Sequence, residues 1–215
     1  MIRRLMICAW LCVPVFAGSA ASAPPAEAGK QLISTTVEAL RAALAADPAL
    51  SRGERPAEVM ALVEDVVLPH LDTQMSGRLI LGQHWRTATP GQRERFIAGY
   101  RDLLLRTYAV HATDYLAAEV AILSAAPTGS EGRLLQVRTR VTRPGKPVAA
   151  VDYRLVAHSD GWKVFDAVIQ GVSMVSTLRT AVAAEIRRNG IDALNDRLQT
   201  MANDPALAVP VPTRN

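Results

Sequence analysis

Beyond residue 23 the chain contains no cysteine; its two, Cys8 and Cys12, both fall close to the N-terminus. Disulfides, thiolate metal sites and cysteine catalysis are therefore excluded from everything downstream. Aromatic residues make up only 5% of the sequence, and no aromatic-basic stripe of the kind that tracks nucleic acid is present. Charge is nearly balanced: the formal +4 falls to +2 without Arg3 and Arg4, too little for a general polyanion binder. No G-x-S-x-G, H-E-x-x-H or phosphate-binding glycine loop occurs. His70, His84, His111 and His158 are scattered, and His70 with Asp72 alone is a weak metal signal. Ser173 sits in Gln-Gly-Val-Ser-Met, which is not a nucleophile elbow.

What is present begins with an export signal. Arg3 and Arg4 precede an apolar run over 5–16, and Ala21-Ser22-Ala23 supplies small residues at a cleavage site. The run is shorter than the roughly 20 apolar residues a membrane span requires. We therefore expect a secretory signal over 1–23, cleaved after Ala23, and a protein delivered to the periplasm. A domain is expected over 24–203 and a frayed, proline-rich tail over 204–215. About 190 residues bury an ample core without disulfides.

Helical periodicity dominates the first half. Val37, Leu40 and Leu44 share one face of a helix expected over 31–46, which Asp47-Pro48 ends. Val59, Leu62, Val63, Val66 and Val67 form the stripe of a second helix, stopped at Pro69. Asp72 caps a short third helix bearing Met75 and Leu79, with Gly82 at its end. Thr89-Pro90-Gly91-Gln92 is a capping box with proline in the first turn. The helix it starts carries Ile97, Tyr100, Leu104, Tyr108, His111 and Tyr115 on one face. The period then changes to two. Strands are expected at 119–123, 135–141, 151–155 and 162–169, the last apolar on both faces and so central. Asp160-Gly161 marks one hairpin. A helix capped by Ser173 or Ser176 follows, with Gly190 at its end and Asp192 capping a final short helix. Helices, a meander, then helices give an α+β domain: a twisted four-stranded antiparallel sheet wrapped by helices.

Two blocks carry a family resemblance. One is LGQHWRTATPGQRERF followed by LLLRTY; the other is WKVFDAVIQGVSMVSTLR followed by NGIDALNDRL. Leu81-Gly82, Trp85, Phe96, Thr107-Tyr108, Trp162-Lys163-Val164, Asp166, Gly171, Ser173 and Arg179 appear in order. This pattern resembles the MlaC family, also called the toluene-tolerance auxiliary proteins, over most of the chain. The resemblance implies a periplasmic phospholipid carrier with an apolar cavity between sheet and helices. It implies no enzyme activity and no cofactor, with a phospholipid as cargo. The implied partners are an inner-membrane ABC transporter complex and an outer-membrane lipoprotein complex that together maintain lipid asymmetry; nucleic acid is not among them. Gln170 departs from the pattern, standing where relatives commonly carry glutamate.

With that resemblance, the candidate cavity wall is Val67, Leu71, Met75, Leu79, Leu104, Tyr108, Tyr115, Val137, Val151, Tyr153, Val164, Ile169 and Val172. Taken singly, each could equally be ordinary core. Tyr108 and Tyr115, with apolar rings and polar tips, suit a cavity mouth or a buried site with a satisfied hydroxyl. Asp166, expected on one strand face with Trp162, Val164 and Val168, is either a base with a raised pKa or a carboxylate held by arginine and backbone donors. Arg78, Arg86, Arg93, Arg95, Arg101 and Arg106 are either a solvated helix face or a surface for docking acidic partners. Two other readings stay open: a ketosteroid-isomerase-like enzyme acting on a small apolar substrate, and a periplasmic interaction module with a solid core.

Overall fold

The computed structural model describes residues 24–111, 118–129 and 131–203. The expected signal segment and tail, together with Tyr115, lie outside the described residues. Among the described residues, seven α-helices accompany a five-stranded antiparallel sheet of order β1-β2-β3-β4-β5. The α+β expectation holds, with one short strand more than the four expected.

Helix α1 spans Ala26–Ala46 and starts earlier than apolar spacing indicates. Its first turns are small and polar, so tertiary contacts rather than a helical stripe recruit them. Trp162 Nε1 donates to the Pro25 carbonyl at 3.0 Å, and Gly29 packs where a Cβ would sit 2.2 Å from Leu135 Cδ2. Asp47 is extended before Pro48 and accepts from the Ala49 amide at 2.9 Å, ending α1 and opening the single turn α2 (Pro48–Ser51). Helix α3 (Pro56–Val66) runs into a 3-10 turn at Leu68–His70. Leu71 then forms a parallel bridge to Val164. Asp72 caps α4 (Thr73–Leu81) by accepting from the Met75 amide at 2.8 Å, and its other oxygen meets His158 Nε2 at 2.8 Å.

After the one-turn α5 (His84–Thr87), helix α6 (Pro90–His111) opens on the expected capping box. The Gln92 amide donates to Thr89 Oγ1 at 3.2 Å and the Thr89 amide to Gln92 Oε1 at 3.0 Å. Trp85 lies under the Arg93 guanidinium, 5.1 Å from its ring centroid.

The strands are β1 (Glu119–Thr128), β2 (Leu134–Thr142), β3 (Ala149–His158), β4 (Gly161–Ile169) and β5 (Val172–Ser173). β1 is twice the expected length because its register shifts between Ile122 and Ser124. Leu123 occupies that bulge and is 52% exposed; the break in alternation hides the strand's second half. β2 alternates cleanly, with Leu135, Val137, Thr139 and Val141 all buried. Gln170 and Gly171 join β4 to β5, with φ of 51° and 81°. Two successive positive φ values are those of a type I′ hairpin turn. The Gln170 amide side chain donates to the Val148 carbonyl at 3.2 Å, a bond that a carboxylate could not make.

Helix α7 (Met174–Asn203) breaks at Gly190, where φ is 82° and ψ is 166°. The two expected helices are thus continuous in chain but bent. Glu185 pins the bend, accepting from Asn189 at 2.9 Å and Arg188 at 3.1 Å and pairing with Arg197 at 3.4 Å across it.

Buried apolar side chains form three separate clusters. Phe96, Ile80, Leu81 and Tyr100 with Val182, Leu194 and Leu198 knit α4, α6 and α7. Ile33, Leu135, Val137, Leu155 and Trp162 join α1 to the sheet. Leu44, Val59, Val63 and Leu105 join α1, α3 and α6. A domain of this size usually has one contiguous core. The division has a structural reason: open space lies where the three clusters converge.

Candidate functional site

That space is a cavity of about 220 Å³, partly open to solvent. It exceeds the roughly 150 Å³ of a dry apolar cavity that admits benzene. Each core cluster supplies part of the wall. α1 contributes Leu32, Ile33, Thr36, Val37, Leu40, Arg41 and Leu44. Val63, Val67, His70 and Leu71 follow from α3 and the 3-10 turn; α6 supplies Tyr100, Leu103, Leu104 and Thr107. The sheet gives Val120, Tyr153, Val164, Ala167 and Ile169, and the start of α7 gives Met174, Val175 and Leu178.

Six expected wall residues therefore line the cavity: Val67, Leu71, Leu104, Tyr153, Val164 and Ile169. Five others do not. Val137 is fully buried and packs beneath α1. Leu79 packs into the helical cluster, and its carbonyl accepts from Arg179 Nε at 2.6 Å. Met75 stands in the first turn of α4, where its amide is held by the Asp72 cap. Val151 lies in the ladder between Thr139 and Ile169, outside the wall. Val172, on the two-residue β5, is 39% exposed. Tyr108 lies on α6, but its side chain, like Tyr115, is outside the described structure.

The α1 wall is the largest part not identified as a site from sequence. Its Val37, Leu40 and Leu44 periodicity shows which face turns inward, and nothing local distinguishes an inward face that meets a void from one that meets another side chain.

Asp166 also lies elsewhere than expected. The β3–β4 register shifts at Arg154/Leu155, leaving Phe165 as an extra residue. One inserted residue breaks the alternation, so Asp166 and Val168 oppose Arg154 and Asp152 out of phase with Trp162 and Val164, while Asp166 still borders the cavity. The Asp166 side chain is only 2% exposed. Oδ2 accepts from Arg154 Nη1 at 3.1 Å and Ser173 Oγ at 2.7 Å, while Oδ1 accepts from the Val175 amide at 3.1 Å. Both oxygens are occupied, and the donors account for the buried charge. Ser173 Oγ in turn caps α7, accepting from the Ser176 amide at 3.0 Å. This network ties β3, β4 and α7 together beside the cavity.

The arginines do not form one free surface. Arg95 pairs with Asp196 at 2.5 Å, Arg101 pairs with Glu64, and Arg93 is held at Trp85 by its carbonyl and ring. Arg78 and Arg86 are exposed, and Arg106 is half-buried. Among the described residues no group of three or more His, Cys, Asp or Glu side chains is placed to hold a metal ion. No described helix is long and apolar enough to cross a membrane.

Comparison with known proteins agrees with this architecture. The intermembrane phospholipid transport system binding protein MlaC of Haemophilus influenzae is 25% identical over 155 residues, 71% of this chain and 72% of that protein. The solved structure of a phospholipid-binding protein from Ralstonia solanacearum, in complex with a phospholipid, superposes with a TM-score of 0.72 at 28% identity. The match covers 82% of this chain and 97% of that one. The sequence model of the MlaC protein family matches residues 34–200, most of the chain, and the chain belongs to that family.

Proposed function

We propose that this protein is a soluble periplasmic phospholipid carrier. It shuttles lipid between an outer-membrane lipoprotein complex and an inner-membrane ABC transporter, and it is not an enzyme. The observation that carries this reading is the solvent-open apolar cavity at the meeting point of three core clusters. The phospholipid held by the Ralstonia relative supports it.

The physical need is large. At about 0.8 kcal/mol per buried CH2, exposing a chain of roughly sixteen carbons to water costs on the order of 12 kcal/mol. A carrier must offer an apolar space that stays open, and needs no reactive group. The cavity of about 220 Å³ is smaller than the roughly 300 Å³ at which ligand pockets usually begin, so a diacyl lipid enters by parting the helices further. Tails enter first and the head group stays near solvent.

Native mass spectrometry of the protein purified from periplasm, with its lipids extracted and identified, tests the proposal. A co-purifying phospholipid supports it. Protein that is lipid-free and also takes up none from vesicles contradicts it.

A further inference from the structure

The cavity wall contains one cation that the apolar cargo does not explain. Arg41 is the only arginine or lysine among the described lining residues. It projects from α1 on the face that carries Val37, Leu40 and Leu44, and is half-buried. One of its terminal nitrogens, Nη2, donates to the carbonyl of Ala118, just before β1. Its Nε is buried and, among the described residues, has no hydrogen-bond partner. Among the described residues no carboxylate stands within ion-pair reach of it. Asp166, the only carboxylate among the described lining residues, is already paired with Arg154.

A guanidinium is always charged and presents five donors in a rigid plane. Held against an apolar wall with one donor unmade among the described residues, it is a poor structural element: desolvation disfavours it and no described anion offsets that. A carrier that only enclosed hydrocarbon would do better with leucine at this position. The arrangement is complete if an anion with several acceptor oxygens docks on the guanidinium. A phosphodiester is such a group, and arginine is the side chain best matched to it. Anchoring through the Ala118 carbonyl fixes the guanidinium at the junction between α1 and β1, so the charge is placed before cargo arrives.

Resting on the carrier reading above, we propose that Arg41 binds the phosphate of the cargo lipid and so selects phosphodiester lipids over uncharged lipids with the same tails. The hydrocarbon wall supplies most of the affinity without discriminating among tails; Arg41 supplies the discrimination.

The test uses the delipidated full chain and mixed vesicles of phosphatidylglycerol and diacylglycerol with identical acyl chains, with loaded lipid read by native mass spectrometry. Wild type should load the phospholipid in preference by roughly 10- to 100-fold, the range for a charge-assisted hydrogen-bonded contact. Arg41→Met, which keeps an unbranched apolar stem, should lose that preference and load the two lipids near parity. Arg41→Lys, a point charge without the planar fork, should fall between them. Thermal melts of each variant establish that it is folded.

An unchanged preference in folded Arg41→Met overturns the inference and leaves the carrier reading standing. So does a wild type that loads both lipids equally. A wild type that loads neither lipid overturns the carrier reading itself. Inorganic phosphate distinguishes the remaining source. If it raises the melting temperature of delipidated wild type but not of Arg41→Met, and lipid preference is unaltered by the substitution, the site serves free phosphate and the head-group assignment is wrong.

Discussion

Ala167 offers the sharpest distinction between an enclosed space and a packed core. It lies on the inner face of β4 opposite Tyr153 and lines the cavity. Ala167→Leu adds three carbon atoms on that face. If they project into open space, each buries at about 0.8 kcal/mol, so delipidated protein gains up to about 2.4 kcal/mol. Partial burial and lost rotamer freedom reduce this to about 1–2 kcal/mol. In a domain of this length that corresponds to a rise in melting temperature of roughly 3–6 °C. The same substitution in a filled core would be overpacking and would destabilise by about 1–3 kcal/mol. The sign therefore decides. Differential scanning calorimetry on delipidated wild type and variant gives the stability, and vesicle uptake gives the loading. The expected result is a higher melting temperature with reduced lipid uptake. A lower melting temperature, or a higher one with unaltered uptake, refutes the assignment of this space as the cargo chamber.

Three further outcomes follow from the packing. Asp166→Ala leaves the Val175 amide and Arg154 without their acceptor; because Arg154 is half exposed, we expect a loss of about 2–3 kcal/mol in urea unfolding, with the identity of bound lipid unaltered. Gly77→Ala places a Cβ 2.1 Å from Ile97 Cδ1, which must rotate away, so a loss of about 1–3 kcal/mol is expected, and an unaltered urea midpoint would show that α4 and α6 are not so closely packed. Glu185 is held below the usual carboxylate range, first by Asn189 and then by Arg188 and Arg197. A depressed folded-state pKa contributes stability that is full above the unfolded value near ~4.3 and lost as pH falls through the lower folded value. The urea midpoint of wild type should therefore drop more steeply below that pH than that of Glu185→Gln, and parallel curves would contradict the contribution.

The sequence displays regular elements well and interruptions poorly. The α6 capping box, the Asp72 cap and the clean alternation of β2 are local signals, and each appears in the structure as its residues indicate. The face of Asp166 was not legible, because the bulge at Phe165 arises from pairing with β3 and leaves no local mark. The early start of α1 was hidden for a related reason: Gly29 and Pro25 are recruited by Leu135 and Trp162, more than a hundred residues away in the chain. Arg95 looked free on a helix face because Asp192 and Asp196 reach it only after α7 bends. The site was legible in part. Periodicity shows that Val67, Leu104 and Val164 point inward, and it shows the same for Val137. It cannot show that the first three meet a void and the last a helix, since that depends on how three clusters fail to merge.

Photocrosslinking with a phospholipid that carries a diazirine in one acyl tail tests the location of cargo most directly, because the unmodified protein reports its own contacts. The chain is loaded from vesicles, irradiated, digested and mapped by mass spectrometry. Adducts should concentrate on the α1 wall from Leu32 to Leu44, on Leu103 to Thr107 of α6, and on Val164 to Ile169 of β4. Adducts confined to exposed apolar positions such as Leu123, Val148 and Val172 would place the lipid on the surface and contradict the cavity as its site.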